Sequence, residues 1–209
     1  RWSPDGTKIV FDHLKSDRSD LYVIKAGDIV PRKITDSVGN NTMPFWAPDG
    51  EWIYFTSNRS LPNHLNQIWK IRATGGTATQ VSNTDDAEKW RPQATVDGKS
   101  LYFVRNNQLW QLEISTGREW AIQELANLQF NCNWEASGDG IYYYQNSAVL
   151  RSVVYKLEFT TRKVSQISLI DGELASNHPS LSITGKGERF AVSTVYLRLC
   201  DINLMHNWK

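Results

Sequence analysis

Four arginines recur at one point of the chain's internal pattern. Arg18, Arg59, Arg105 and Arg151 each follow a short stretch rich in aromatic and branched residues. A guanidinium is a planar fork of N–H donors, so several on one surface suit bidentate capture of carboxylates on an acidic protein or peptide. A second recurring position, just ahead of the next such stretch, holds Met43, Arg91, Asn133 and His178. Arg18, Arg59, Arg91, Arg105, Asn133, Arg151 and His178 are therefore the candidate partner-binding residues. The competing use of the arginines is structural: stacking on aromatic rings or closing loop carbonyls.

Catalytic chemistry finds little support. Gly98-Lys99-Ser100 has the end of a phosphate-binding loop, but the glycine such a loop needs five residues before Gly98 is Gln93. No Gly-x-Ser-x-Gly elbow is present to expose a nucleophilic serine. His13, His64, His178 and His206 lack paired metal-ligand spacing. Asp85-Asp86-Ala87-Glu88 gathers carboxylates in one loop, without the glycine pattern of an EF-hand. Asn40-Asn41-Thr42 and Asn58-Arg59-Ser60 fit the glycosylation pattern, which has no bearing in a bacterial parent. No catalytic residue, metal ligand or cofactor is assigned.

The elements that position the arginines repeat. Trp2-Ser3-Pro4-Asp5-Gly6, Trp46-Ala47-Pro48-Asp49-Gly50, Ala94-Thr95-Val96-Asp97-Gly98, Ala136-Ser137-Gly138-Asp139-Gly140 and, more loosely, Ile183-Thr184-Gly185-Lys186-Gly187 read as copies of one tight turn. Their last glycines are spaced by 44, 48, 42 and 47 residues. In the second copy the turn leads into Trp52-Ile53-Tyr54-Phe55, then Gln67-Ile68-Trp69-Lys70-Ile71, then Thr77-Ala78-Thr79-Gln80-Val81, each patterned as a strand. A period in the forties with several strands per unit predicts an all-β fold, a β-propeller of four-stranded antiparallel blades. The nine Trp supply ring surface to fill the space between blades. Four and a half to five blades are present, an incomplete ring, with boundaries near 1–43, 44–91, 92–133, 134–178 and 179–209 in one propeller segment.

Charge and ends bound the function further. A net charge of +1 with no long run of one sign argues against nucleic acid as a partner of this segment. No apolar run reaches the roughly 18 residues of a membrane span, so no membrane insertion is expected. Residue 1 is Arg and lies inside the first turn copy, which reads as a segment of a longer parent whose remaining blades complete the ring. Cut edges at both ends would then favour self-association of the segment. Cys132 and Cys200 fall in different repeats and read as two separate buried thiols.

Trp2-Ser3-Pro4-Asp5-Gly6 followed by Lys8-Ile9-Val10-Phe11, Ser16-Asp17-Arg18 and Asp20-Leu21-Tyr22 resembles the TolB-type propeller repeat, and Ser57-Asn58-Arg59 repeats the pattern. Asp97-Gly98-Lys99 with Leu101-Tyr102-Phe103 continues it without the Trp. The resemblance implies a non-enzymatic module that presents one loop face to a protein or peptide. Periplasmic or otherwise extracytoplasmic bacterial location is the setting it suggests, with a cytoplasmic one as the alternative. Similar repeats form the sensor half of bacterial regulators with a winged helix, and Asp201-Ile202-Asn203-Leu204-Met205 resembles the closing strand of that type. They also form the gating domain of prolyl-oligopeptidase-like peptidases, and a related propeller carries an oligogalacturonate lyase, for which His178 would be the residue to watch.

Overall fold

The computed structural model describes residues 1–59, 65–82, 86–130, 133–147, 151–171, 173–174, 181–183, 189–196 and 199–206. Two compact units result, Arg1–Ile122 and Gln123–Lys209. Both are built from antiparallel sheets, and in all but the last of these the strands follow one another in sequence.

The first unit holds three sheets. Strands β1 (Lys8–Lys15), β2 (Arg18–Lys25) and β3 (Arg32–Lys33) make the first, and Trp2 bridges to Ile9 on its inner side. The second runs β4 (Asn41–Trp46), β5 (Trp52–Ser57), β6 (Gln67–Arg72), β7 (Thr79–Gln80), and the third β8 (Lys89–Ala94), β9 (Ser100–Arg105), β10 (Gln108–Glu113), β11 (Glu119–Ala121). The outermost strands are two or three residues long, a common way to deny a neighbouring molecule an edge to pair with.

Burial of both sheet faces explains why β5 and β9 are largely apolar. Along β5, Ile53 and Phe55 pack toward the first sheet with Val10, Leu21, Val23 and Ile71. Tyr54, on the opposite face, packs with Ile68, Leu101, Phe103 and Leu112 of the next core layer. This is period-two alternation between two dry layers rather than between core and water. One rung is aromatic in the first four sheets: Phe11 opposite Tyr22, Phe55 opposite Trp69, Phe103 opposite Trp110 and, in the second unit, Tyr143 opposite Tyr155. Such cross-strand pairs add about 0.2–1 kcal/mol each beyond simple burial. Tyr143 and Tyr155 stack at 5.3 Å, and burial, then the neighbouring phenol, pushes the Tyr143 hydroxyl up to about 12.

The aspartate turns work as the sequence implies in the first three copies. Gly6, Gly50 and Gly98 have φ near +70°, the left-handed region glycine enters without a side-chain clash. Asp5 accepts from the Ser3 hydroxyl at 2.5 Å, the Thr7 amide at 3.0 Å and the Thr7 hydroxyl at 2.9 Å, which together draw its carboxyl down to about 2. Asp49 and Asp97 accept the equivalent amides of Glu51 and Lys99. Gly50 and Gly98 then rest on Pro4 and Pro48, the turn prolines of the preceding sheets.

The fourth copy is in a different register. In the second unit β12 (Trp134–Ala136), β13 (Gly140–Ser147), β14 (Arg151–Glu158) and β15 (Val164–Asp171) form one sheet. The Ser137 amide closes directly on the Gly140 carbonyl, so the turn is two residues shorter than its counterparts. Gly140 is a strand residue here, and an added Cβ would lie 2.5 Å from the Leu157 carbonyl oxygen. Asp139 no longer ties the turn; it accepts from Lys156 Nζ at 2.7 Å and the Tyr142 hydroxyl. The remaining strands, β16 (Glu173–Leu174), β17 (Leu181–Ile183), β18 (Arg189–Tyr196) and β19 (Leu199–His206), form a last sheet in which β16 and β17 both pair with β18. The copy at Ile183–Gly187 lies largely outside the described residues, as do Cys132 and His64.

Candidate functional site

The β1–β2 register runs from Lys8 opposite Lys25 to Lys15 opposite Arg18, which defines two ends of the first unit about 23 Å apart along the strand. Arg18, Arg59 and Arg105 all stand at the end where the second and third strands of each sheet join. All three therefore lie at the same end of the first unit, where polar joints link successive sheets.

Two joints make up that system, and they use equivalent positions. At the first, Asp20 opens the useful part of the third strand. It accepts from Thr35 at 2.7 Å, from Ser37 at 3.0 Å and from Lys33 at 2.6 Å, and Asn41 of the next sheet's inner strand reaches it at 3.4 Å. Burial alone would raise the Asp20 carboxyl; the donations from Lys33, Thr35 and Ser37 outweigh it and hold the group below the usual range. The Thr35 hydroxyl also accepts the Leu21 amide at 3.1 Å.

At the second joint Gln67 takes the place of Asp20, Ser82 that of Thr35 and Lys89 that of Asn41. Ser82 donates to Gln67 at 2.8 Å and accepts the Ile68 amide at 3.3 Å, while Lys89 Nζ donates to the same Gln67 oxygen at 3.1 Å. Lys89 is fully buried, and Glu119, itself only 4% exposed, lies 3.5 Å from its ammonium. Burial lowers the Lys89 ammonium from its ordinary value; Glu119 works against that shift and Arg105 adds to it.

The arginines are fitted into these joints. Arg59 has a side chain 6% exposed, bonds Asn41 at 2.8 Å and pairs with Asp36 at 3.1 Å. Its guanidinium lies over the rings of Phe55 and Trp69 at 5.4 and 5.3 Å. Gly39 makes room for it: a Cβ there would fall 2.7 Å from the Arg59 amide nitrogen. Arg105 lies over Trp110 at 4.5 Å, bonds Glu119 at 3.1 Å and pairs with Asp86. The structural use of arginine thus accounts for Arg59 and Arg105.

Met43 and Arg91 sit inside the inner strands rather than ahead of them. Each occupies a register shift, between Thr42 and Phe45 and between Trp90 and Gln93, with φ of +53° and +56°. The bulge swings the backbone N–H out of its own ladder toward the preceding sheet. The Met43 amide donates to Asp12 at 3.3 Å and the Arg91 amide to Thr56 at 3.0 Å, and Asp12 and Thr56 are equivalent second-strand residues. Arg91 is 4% exposed.

Arg18 is different. It is exposed, donates to the Ser37 carbonyl and lies opposite Lys15; at the same end Leu14 and Val38 are 63% and 49% exposed. In the second unit, Asn133 donates to the Tyr144 carbonyl at 3.0 Å, and Arg151, about half exposed, pairs with Asp171 at 3.0 Å. His178 lies outside the described residues. Among the described residues no three His, Cys, Asp or Glu side chains cluster as metal ligands, and no helix is long and apolar enough to cross a membrane.

The family now follows from the whole pattern. The sequence model of the TolB beta propeller domain matches residues 1–185. The chain belongs to the TolB beta propeller domain family. The crystal structure of TolB from Acinetobacter baumannii superimposes with a TM-score of 0.75 at 18% identity, covering 98% of this chain and 50% of that one, a likeness of fold. An uncharacterized protein of Agrobacterium fabrum is 30% identical over 103 residues, 49% of this chain and 34% of its own length. Dipeptidyl-peptidase 5 of Porphyromonas gingivalis is 26% identical over 132 residues, 56% of this chain and 19% of the peptidase. The chain thus spans about a third or less of these two relatives.

Proposed function

We propose that this TolB-like propeller segment is a non-catalytic interaction module that presents the loop end of its first sheet to a protein or peptide partner. Arg18 carries the reading: an exposed guanidinium opposite Lys15 at a sheet end that also exposes Leu14 and Val38. Arginine beside apolar surface is the composition enriched in protein interfaces, and loops on a rigid scaffold are where such contacts are placed. Arg59 fixes the joint beside that sheet through Asn41 and Asp36. A bacterial extracytoplasmic setting, the periplasm in particular, belongs to the same proposal, as does the sensor half of a regulator as one possible parent. The test is capture of the native partner from a source lysate with Arg18→Glu and Leu14→Asp beside the parent chain. Loss of capture with unchanged melting supports the reading, and full capture by both variants overturns it.

A second reading is favoured by the match to dipeptidyl-peptidase 5: the segment as the propeller domain of a larger enzyme, a prolyl-oligopeptidase-like peptidase or, through the wider fold, an oligogalacturonate lyase. The reading frame around the segment separates them. A Gly-x-Ser-x-Gly elbow downstream marks the peptidase, and a winged helix upstream marks the regulator.

A further inference from the structure

The opposite end of the first unit carries a cleft that the joints do not use. It lies between the first and second sheets, has a volume of about 550 Å³, and Lys8, Lys25 and Val30 are among the residues that line it. Arg32 fixes its floor by donating to the Ala73 and Thr74 carbonyls at 2.8 and 2.7 Å. Arg72 on the far wall is held by Glu51 at 2.6 Å.

The near wall is unusual in its charge. Lys8 and Lys25 are directly opposite each other on adjacent strands, and neither ammonium has a hydrogen bond or ion pair among the described residues. Like charges facing across a rung destabilise a sheet. The same rung is Trp52–Arg72, Ser100–Glu113 and Gly140–Glu158 in the next three sheets. The lining holds four cations against Asp28 and Glu51. Beside the lysines, the loop that carries Val30 leaves Ile29 92% and Val30 75% exposed.

We propose that this cleft binds an acidic peptide segment, with carboxylates on Lys8 and Lys25 and an apolar side chain against Val30. Bound carboxylates relieve the Lys8–Lys25 repulsion, which gives the site its selectivity for anions. Exposed valine and isoleucine beside the cations favour a peptide over a bare inorganic anion, because a small ion leaves that surface wet.

The probe is a fluorescein-labelled peptide of alternating glutamate and leucine, titrated against the full chain by fluorescence polarisation. Lys8→Glu with Lys25→Glu should weaken binding by about tenfold or more, while Lys15→Glu at the other end leaves it unchanged. Lys25→Gln should weaken binding and raise the melting temperature together, a combination that a merely structural lysine does not give. Val30→Asp should weaken the peptide without altering competition by inorganic phosphate. The proposal fails if the double variant binds the peptide as the parent does. It also fails if the parent shows no binding, or if phosphate competes as well as an unlabelled copy of the peptide.

Discussion

At the joint between the first and second sheets the hydrogen-bonded ion is an acid, the partly buried Asp20; at the next joint it is a base, the fully buried Lys89. The hydroxyl that serves each is equivalent, Thr35 in one and Ser82 in the other, and each caps the amide that follows the third-strand residue. The two differ in how the ion is compensated. Asp20 draws on hydroxyls and a half-exposed lysine, so solvent shares the work. Lys89 depends on Gln67 and Glu119 in a site closed to water. One scaffold thus tolerates either sign of charge, at very different depths of commitment.

That difference sets the order of expected damage. Glu119→Gln removes the anion beside a fully buried lysine and should cost about 3 kcal/mol in urea unfolding. Adding Lys89→Met should recover most of that loss, because a buried pair replaced by an apolar group of similar volume is often neutral. A double variant as unstable as the single would show the two joints to be alike. Thr35→Val strips a hydrogen bond from a charged carboxylate and should cost about 2 kcal/mol, against about 1 kcal/mol for Ser82→Ala, whose partner is a neutral amide.

The sequence carried the sheets further than the joints. The Asp-Gly turns, the middle strands and the recurrence of arginine were legible because each is local, set by residues within a few positions of one another. The fourth turn misled because Gly138-Asp139-Gly140 supplies two glycines, and only the ladder shows which one bends the chain. The joints were hidden for another reason. Asp20 meets Asn41, and Gln67 meets Lys89, across 21 and 22 residues, and only the stacking of sheets makes them neighbours. Recurring arginines likewise could not reveal that Asp36, Asp86 and Glu119 already claim Arg59 and Arg105.

Acid and base also separate the joints by pH. The Asp20 carboxyl sits below its ordinary value, so its share of stability is present above about pH 4 and fades as pH falls through the folded value. Asp20→Asn should cost about 1 kcal/mol at neutral pH and flatten the acid limb of a melting-temperature profile. Lys89 runs the other way. Its ammonium is lowered by burial, so the folded state gives up this proton more readily than the unfolded chain does, and stability recovers as pH rises toward the ordinary lysine value. Lys89→Met should remove that alkaline recovery and leave the acid limb intact. Identical profiles for the two variants would contradict the assignment of ions of opposite sign to the two joints.

The smallest effect belongs to the residue that the joints leave in solvent. Arg18 touches the first joint only through the Ser37 carbonyl, so Arg18→Glu should change stability by less than about 0.5 kcal/mol. Arg59→Glu, placed between Phe55, Trp69, Asp36 and Asn41, should unfold the joint instead, because it brings a second anion to Asp36 and removes the cation from both rings. Melting curves of the two variants therefore sort recurring arginines by use. A near-silent Arg18→Glu beside a strongly destabilised Arg59→Glu leaves Arg18 free to meet a partner. Comparable losses would mean that Arg18 too is structural, and that the loop end holds the sheets together more than it offers a surface.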